Sequence, residues 1–418
     1  MKPLRETAAH ILLIAIYGFT WLLAALGNMI PRRAWKPTNR IMVTGTFFNP
    51  NWYISHIRPL SLAGVGEVIL IADTPELPLE GVRFVCPPKW LARLLTRAGA
   101  KAVWMILAGL RYRPDLYMGY HLLPGGCTAL IASRLLGRPC CYQMTGGPVG
   151  IIGGGFAAVD SVEGRLGRPS KLIEKLALSV TRQFDLVVVR GSGAREFLMG
   201  KGISDSVAVV TGSINGHRPA PGVERDIHLI YVGRLAPIKQ VEQVIAIVAA
   251  MRKIKPDIRA IIVGDGPAKA DLERYAEQLG VSGSVEFLGK RKDVHSFLAR
   301  SRVFLLTSKS EGLSIALAES MAAGVVPVVA HVGDLSDLVV DGENGYLIEP
   351  DAIEQYAAKA RLLLDDDALW RACSSRAVEA ARRHCHIDSV SQTWRRHLQA
   401  TISRASRRRA EEVRQSTL

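Results

Sequence analysis

From residue 40 onward, short apolar runs alternate with longer stretches in which apolar side chains recur every three or four positions. Runs at 40–43, 67–71, 116–119, 139–143, 186–189 and 207–210 read as strands, with helical patterns such as 128–136 and 172–181 between them. The Pro- and Gly-rich stretch 215–222 reads as a linker. The pattern then restarts. Strands are predicted at 228–232, 259–263, 285–287, 303–306 and 325–329, and helices at 241–251, 269–280, 294–299 and 315–322. Two further helical patterns, 351–364 and 368–382, form a C-terminal cap. Strand–helix alternation builds a parallel sheet covered on both faces. Doing so twice predicts an α/β chain of two doubly wound, Rossmann-like domains facing a cleft, with ligands at the carboxyl ends of the strands.

The segment before residue 40 follows neither period. No Lys, Arg, Asp or Glu occurs from Thr7 to Pro31, and 11–26 is strongly apolar. That stretch is long enough to cross a bilayer or to lie half-buried in one. The alternatives to a membrane anchor are a buried helix and a cleaved signal peptide, and the latter needs a small-residue cleavage site, which Asn28-Met29-Ile30-Pro31 fits poorly. Basic residues after the stretch (Arg32, Arg33, Lys36, Arg40) outnumber those before it (Lys2, Arg5), which favours the cytoplasmic side for the bulk of the chain. The expected parts are a hydrophobic anchor with its helix over 1–38, domains over 39–221 and 222–385, and a C-terminal helix with a basic tail over 386–418.

Composition narrows the partners. The 418 residues are 48% apolar and 22% charged, as in a core-forming protein. Lys and Arg number 53 against 38 Asp and Glu, and the resulting +15 calls for nucleic acid, phosphorylated metabolites or an anionic membrane. Between Glu80 and Asp115 there is no acidic residue, while Lys89, Arg93, Arg97 and Lys101 recur every four positions beside Trp90, Leu91, Leu94 and Leu95. On a helix over 88–113 those cations share one flank, which suits an interfacial helix on anionic lipid and equally a solvated basic face. The apolar 11–26 stretch in the same chain tips the expectation toward membrane. The tail 403–418 carries Arg404, Arg407, Arg408 and Arg409 without a nucleic-acid-binding pattern, so no nucleic-acid partner is expected. The six cysteines show neither paired spacing nor the density of a disulfide scaffold and read as reduced thiols.

Four loops of the second half each follow a strand, and so belong on one sheet edge. Gly233 and Arg234 with Lys239 offer close backbone approach and two cations for a diphosphate, or a plain solvated turn. Gly264-Asp265-Gly266-Pro267 lacks the third glycine of a dinucleotide fingerprint and reads as a tight turn. In the third loop, Glu311 precedes Gly312, Leu313, Ser314 and Ile315, and Glu319 follows eight residues after Glu311, in the next helix. Free amides at that helix start make an anion site, and each flanking carboxylate accepts two hydrogen bonds from sugar hydroxyls. A dipole partner accounts for one glutamate, not for the pair together with Gly312. The fourth loop, Asp341-Gly342-Glu343-Asn344-Gly345, is a structural turn at the sheet edge.

The order of these motifs, GR-x4-K, GDGP, E-x7-E and DGENGYL, resembles the nucleotide-sugar domain of retaining family 4 glycosyltransferases of the GT-B fold, the group 1 glycosyl transferases. The match runs from about residue 230 to 350. The resemblance implies that Arg234 and Lys239 neutralise a donor diphosphate. It implies that Glu311 holds the transferred sugar, that the Gly312, Leu313 and Ser314 amides meet sugar and distal phosphate, and that Glu319 binds the ribose. Backbone near Gly289, Lys290 and Arg291 would meet the base. In the first half it makes His121, within Tyr120-His121-Leu122-Leu123-Pro124, the candidate beside the reacting sugar, although a lone histidine serves structure as readily. Two departures stand out: Gln240 follows Lys239 where the family often has glycine, and Gly45 is single where many members have paired glycines near the diphosphate. The glycines of 144–155 read as a mobile acceptor-side loop or as a packed turn.

The expected activity is a membrane-associated retaining glycosyltransferase. It takes a nucleoside-diphosphate-sugar as co-substrate and a glycan or lipid-linked acceptor of the cell envelope at the cytoplasmic membrane face, and contacts anionic membrane through 11–26 and 88–113. No Asp-x-Asp follows a strand, and Asp365-Asp366-Asp367 reads as a solvated turn. A metal-independent reaction without further cofactor is expected, Arg234, Lys239 and a helix dipole supplying the positive field. The alternatives are a nucleotide-sugar epimerase of similar fold and a non-catalytic membrane scaffold.

Overall fold

The computed structural model describes residues 2–30, 35–47, 50–75, 77–157, 163–214 and 223–416. Arg32, Arg33 and the linker 215–222 lie outside the described residues. The chain forms two compact units, 1–210 with 390–418, and 211–389. The first boundary thus falls before the expected 221, and the last helix returns to the first unit instead of standing as a tail.

The first unit opens with α1 (Lys2–Met29), β1 (Arg40–Thr44), α2 (Pro50–Ser61), β2 (Glu67–Ile71) and β3 (Val82–Phe84). It continues through α3 (Lys89–Tyr112), β4 (Leu116–Tyr120), α4 (Cys127–Leu135), β5 (Cys140–Gln143) and α5 (Lys171–Thr181), closing with β6 (Leu186–Val189), α6 (Ser192–Gly200) and β7 (Val207–Val209). The seven strands are parallel in the order β3-β2-β1-β4-β5-β6-β7. Chain order reverses between β1 and β4, which makes their carboxyl ends the switch point. Alternate residues of each strand face opposite sides. Met42, Ile69 and Tyr117 pack under α1, α3, α4 and α5, whereas Ile41, Val68 and Leu116 pack under α2 and the chain's last helix.

Helix α1 is a structural member of this unit. Leu13, Tyr17, Thr20 and Ala24 are buried, following the four-and-three spacing of one helix face. A Cβ at Gly27 would sit 2.8 Å from the Arg134 Cβ, so glycine is what lets α1 approach α4. The opposite face leaves Ile11, Phe19, Trp21, Leu22, Leu26 and Met29 exposed. The stretch Glu6–Met29 is long and apolar enough to cross a membrane, yet a narrow face of it, 28% of its most apolar window, is buried against the unit.

The second unit holds β8 (Ile227–Val232), α7 (Val241–Arg252), β9 (Ala260–Val263), α8 (Lys269–Gln278), β10 (Val285–Gly289), α9 (Val294–Ala299), β11 (Ser301–Leu306) and α10 (Ile315–Ala322). After these come β12 (Val326–Ala330), β13 (Tyr346–Ile348), α11 (Ile353–Asp365) and α12 (Asp367–Cys385). Its parallel sheet runs β10-β9-β8-β11-β12-β13, with the switch point between β8 and β11. Asp365, Asp366 and Asp367 are exposed at the junction of α11 and α12, as expected of a solvated turn, and the Asp366 carboxylate also caps α12, accepting from the Ala368 and Leu369 amides. Helix α13 (Ile387–Ser416) begins in this unit and then buries Val390, Trp394 and Leu398 in the first. Arg409, expected on a polar tail, is buried over the Trp35 ring. All six cysteines are free thiols.

Two expectations about charge and mobility need correction. Helix α3 is broken at Thr96 (φ 66°, ψ 166°), and Lys101 is buried with Nζ 3.0 Å from the Asp73 carboxylate, so the four cations do not form one exposed flank. Likewise Arg40 is tied to Glu67 at 3.2 Å. In 144–155 the run Gly153 to Gly155 is packed, since the Gly153 amide donates to Glu174 at 2.8 Å and a Cβ at Gly154 would meet Ile173 at 2.9 Å, whereas Gly146 is exposed.

Candidate active site

In the second unit, the two loops at the switch point lock onto each other. The first, after β8, carries Gly233, Arg234 and Lys239. The Tyr231 hydroxyl donates to the Arg234 carbonyl at 3.1 Å, and a Cβ at Gly233 would lie 2.6 Å from that hydroxyl. The GDGP turn backs this loop. The Leu235 amide donates to Asp265 and the Ala268 amide to Leu235, and a Cβ at Gly264 would come within 1.8 Å of the Gly233 carbonyl. Its glycines are there for backbone-to-backbone packing. Gln240 has φ 46° and ψ 47°, the left-handed conformation that explains a glycine at this position, and its side chain is held by Gln243 at 2.9 Å.

The second loop, after β11, brings Glu311 against Lys239. The Lys239 Nζ lies 2.6 Å from Glu311 Oε1, and the Ser308 hydroxyl donates to the same oxygen at 2.7 Å. The Glu311 side chain is only 8% exposed, so a buried carboxylate is matched by a cation and a hydroxyl. Across the two loops the Lys309 amide donates to Ile238, and the Thr307 hydroxyl to Gln240. A Cβ at Gly333 would strike the Glu311 carbonyl at 1.9 Å, which ties the loop after β12 to the same place. Ser314 caps α10, accepting from the Leu317 amide at 3.3 Å. Leu313 points into the core, leaving its backbone at the helix start.

Glu319 sits one turn into α10, half-buried, its carboxylate with no hydrogen bond or ion pair to any described residue. Burial alone pushes its carboxyl up to about 7. A carboxylate desolvated without a partner is a cost the fold tolerates. Gly289, at φ 64° with its carbonyl accepting from Gly264, ends β10 on the same carboxyl edge. Lys290 follows, while Arg291 is turned into an exposed ion pair with Asp293 at 2.9 Å.

The first unit has its own constellation at the β1/β4 switch point. Gly45 follows β1, where a Cβ would meet the Tyr120 Cβ at 2.7 Å. His121 follows β4 at φ 58°, with Nδ1 3.0 Å from the Thr145 hydroxyl and its ring stacked on Trp52 at 5.8 Å. Burial lowers its pKa to about 4, so the ring is neutral at pH 7. Trp52 also stacks on His56 at 4.2 Å. Arg190 Nη1 donates to His56 Nε2 at 2.6 Å, and His56 Nδ1 lies 2.8 Å from the Trp52 carbonyl. Both contacts require a neutral imidazole protonated on Nδ1. Burial, then the Arg190 charge, holds His56 well below its ordinary pKa. Trp52, His56 and Arg190 escaped the sequence reading because Arg190 follows β6, far along the chain from α2; the one local signal was the four-residue spacing of Trp52 and His56 on α2.

Known proteins resemble the second unit. Residues 215–383 match the family model described as Glycosyl transferases group 1. N-acetyl-alpha-D-glucosaminyl L-malate synthase of Bacillus anthracis is 32% identical over 164 residues, 39% of this chain and 42% of that protein. D-inositol 3-phosphate glycosyltransferase of Corynebacterium diphtheriae is 33% identical over 200 residues, covering 42% and 47%. The chain spans less than half the length of these two relatives. HepE of Anabaena, solved in complex with UDP, superposes with a TM-score of 0.67 at 18% identity over 86% of this chain and all of HepE. That likeness extends across both parallel-sheet units and assigns the chain to the GT-B fold.

Proposed function

We propose that the chain is a retaining glycosyltransferase that moves a sugar from a nucleoside-diphosphate donor to a lipid-linked or envelope-glycan acceptor at the cytoplasmic membrane face, without a metal. One observation carries the donor assignment: Arg234, Lys239, Glu311 and Glu319 converge on the two loops of the second switch point, and Glu319 has no partner within the described fold. An unpaired carboxylate in the helix that follows the Lys239–Glu311 loop pair suits a ribose next to a diphosphate. HepE's complex with UDP supports the same class of donor. Glu311 is held by Lys239 and Ser308, which suits an acceptor of sugar hydroxyl bonds and not a free nucleophile.

Arg234, Lys239 and the α10 dipole supply the field that stabilises a departing diphosphate. Neutral His121, on the first unit's switch point, offers a hydrogen bond to the reacting sugar. Membrane association is supported by α1 and α3, which cover the same face of the first sheet and leave Phe19, Trp21, Leu26, Trp90, Leu94 and Leu110 exposed. With its other face buried, α1 suits lying in the interface better than crossing it. The test is a panel of UDP-, GDP- and ADP-sugars with wild type and Glu319→Ala, followed by NMR of the product anomer. Loss of donor use in the variant with retained configuration is expected. Undiminished donor turnover by the variant sinks the assignment, and an isomerised nucleotide sugar from donor alone replaces it with an epimerase.

A further inference from the structure

The first unit contains a cavity of about 490 Å³ on the carboxyl edge of β1 and β2, walled by the loops after those strands and by the start of α3. Lys89, Arg93 and Arg97 line it, and none of the three is paired with a carboxylate among the described residues. The carboxylate in the wall, Asp73, is neutralised from below by buried Lys101 at 3.0 Å, whose Nζ also lies 3.4 Å from the Gly45 carbonyl. Among the described residues, the cavity therefore gathers three positive charges without a carboxylate partner over an internally neutral floor. Like charges gathered in one concavity repel unless an anion joins them. The chain keeps them together through a backbone irregularity: Thr96, β-branched at φ 66°, breaks α3 between Arg93 and Arg97, and both still face the cavity. Strain of this sort persists where the surroundings hold it, often at ligand sites.

The geometry points to a phosphate- or diphosphate-ester site distinct from the nucleotide half-site. Arginine forks match phosphate oxygens and the lysine adds a mobile point charge. The volume exceeds what inorganic phosphate needs and lies in the range of small-ligand pockets. Next to Lys89 and Arg93 along the helix stand Trp90 and Leu94, 63% and 72% exposed. The ligand therefore has an anionic head in the cavity and an apolar chain along the outside of α3. Its role as the sugar acceptor rests on the transferase reading; its binding does not.

The test uses the full chain in neutral detergent, carrying Arg234→Ala and Lys239→Ala so that the second unit's phosphate cations are removed. Titration calorimetry with geranyl diphosphate, inorganic pyrophosphate and geraniol reports the head and the chain separately. Geranyl diphosphate is expected to bind best, pyrophosphate more weakly and geraniol not at all, with affinity falling steeply as salt rises. Adding Lys89→Ala, Arg93→Ala and Arg97→Ala lowers geranyl diphosphate affinity at least tenfold, while Arg93→Lys with Arg97→Lys keeps most of it and shows that charge, not folding, was lost. Phosphatidylglycerol vesicles that displace the probe mark a lipid headgroup as the source, whereas vesicles that leave it bound mark a soluble or acceptor diphosphate; either result supports the site. Equal binding by the neutralised variant, or geraniol binding as well as its diphosphate, overturns the inference. The transferase reading fails separately, if the unmodified chain binds no nucleotide sugar.

Discussion

The unpartnered Glu319 makes a prediction about stability that is independent of any substrate. Glu319→Gln keeps the shape of the side chain and removes its charge. The folded carboxyl titrates near 7 against an ordinary 4.5, and its cause is burial. At about 1.4 kcal/mol per pH unit that difference is roughly 3 kcal/mol, which solvent screening of a half-buried group trims to about 2–3. The direction follows from which state holds the proton. Below pH 4.5 both states are protonated and the glutamate costs nothing. Between 4.5 and 7 the unfolded chain gives up the proton while the fold retains it, so wild type loses stability relative to the glutamine variant as pH rises. Above 7 the full penalty is in place.

Thermal unfolding of the full chain in detergent, run on both proteins at pH 5 and pH 8, reads this directly. All other titrating groups are common to the two and cancel in the difference. The variant is expected to gain little at pH 5 and about 2–3 kcal/mol at pH 8, or roughly 4–12 °C for a domain of this size. The same substitution weakens donor binding, since a neutral amide accepts fewer hydroxyl bonds than a carboxylate. A stabilised, donor-poor variant is the signature of a residue kept for its ligand. A difference that is the same at both pH values refutes the reasoning, because then the carboxyl is not desolvated.

Lys239→Ala leaves the Glu311 carboxylate buried with only Ser308, and is expected to destabilise the second unit by about 1–3 kcal/mol as well as to weaken donor binding; denaturant midpoints check the first and calorimetry the second. His121→Asn is expected to lower turnover by about 10²-fold without changing the shape of the pH–rate profile between pH 6 and 8, since the wild-type ring is already neutral there. A limb that vanishes with the variant would show a titrating histidine instead. Gly27→Leu drives a side chain into Arg134 and should pry α1 from α4, raising protease sensitivity of the first unit while leaving the apolar composition of α1 intact.

The strand–helix alternation was legible because parallel strands buried on both faces read as unbroken apolar runs, and the four second-half motifs are each contiguous in sequence, within a loop or a loop and the helix it opens. Elements that break those rules were not. Strand β3 is three residues long with the Arg83 side chain outside, and α2 carries Pro50 and Pro59, so neither shows its period. Helix α1 is apolar on both faces, and composition alone does not reveal that Leu13, Tyr17, Thr20 and Ala24 face protein while Phe19 and Trp21 do not. Lys101 looked like its neighbours four residues away because its partner, Asp73, comes from another loop. The proposed donor motif is readable as a set of residue types. That Lys239 and Glu311 hold each other was not, because 72 residues separate them in the sequence.

That contact has a mechanistic consequence. In this fold the second unit uses Lys239, a cation proposed for the diphosphate, to neutralise the very glutamate proposed to hold the sugar, and leaves the proposed ribose carboxylate bare. A donor must then do unequal work at the two glutamates. At Glu319 it supplies hydroxyl donors to a group that has none, a gain whose size grows as pH rises through 7. At Glu311 it competes for Lys239, and gains only if sugar hydroxyls and phosphate replace the 2.6 Å ion pair together. A nucleoside diphosphate without its sugar satisfies Glu319 but draws Lys239 away from a glutamate that then lacks a donor. Binding of the intact nucleotide sugar should therefore lose less affinity in Glu311→Gln than binding of the bare diphosphate gains, and a titration of both ligands against both proteins measures that coupling. Equal effects on the two ligands would mean that Lys239 reaches phosphate without leaving Glu311, and that the pair acts as one preassembled group.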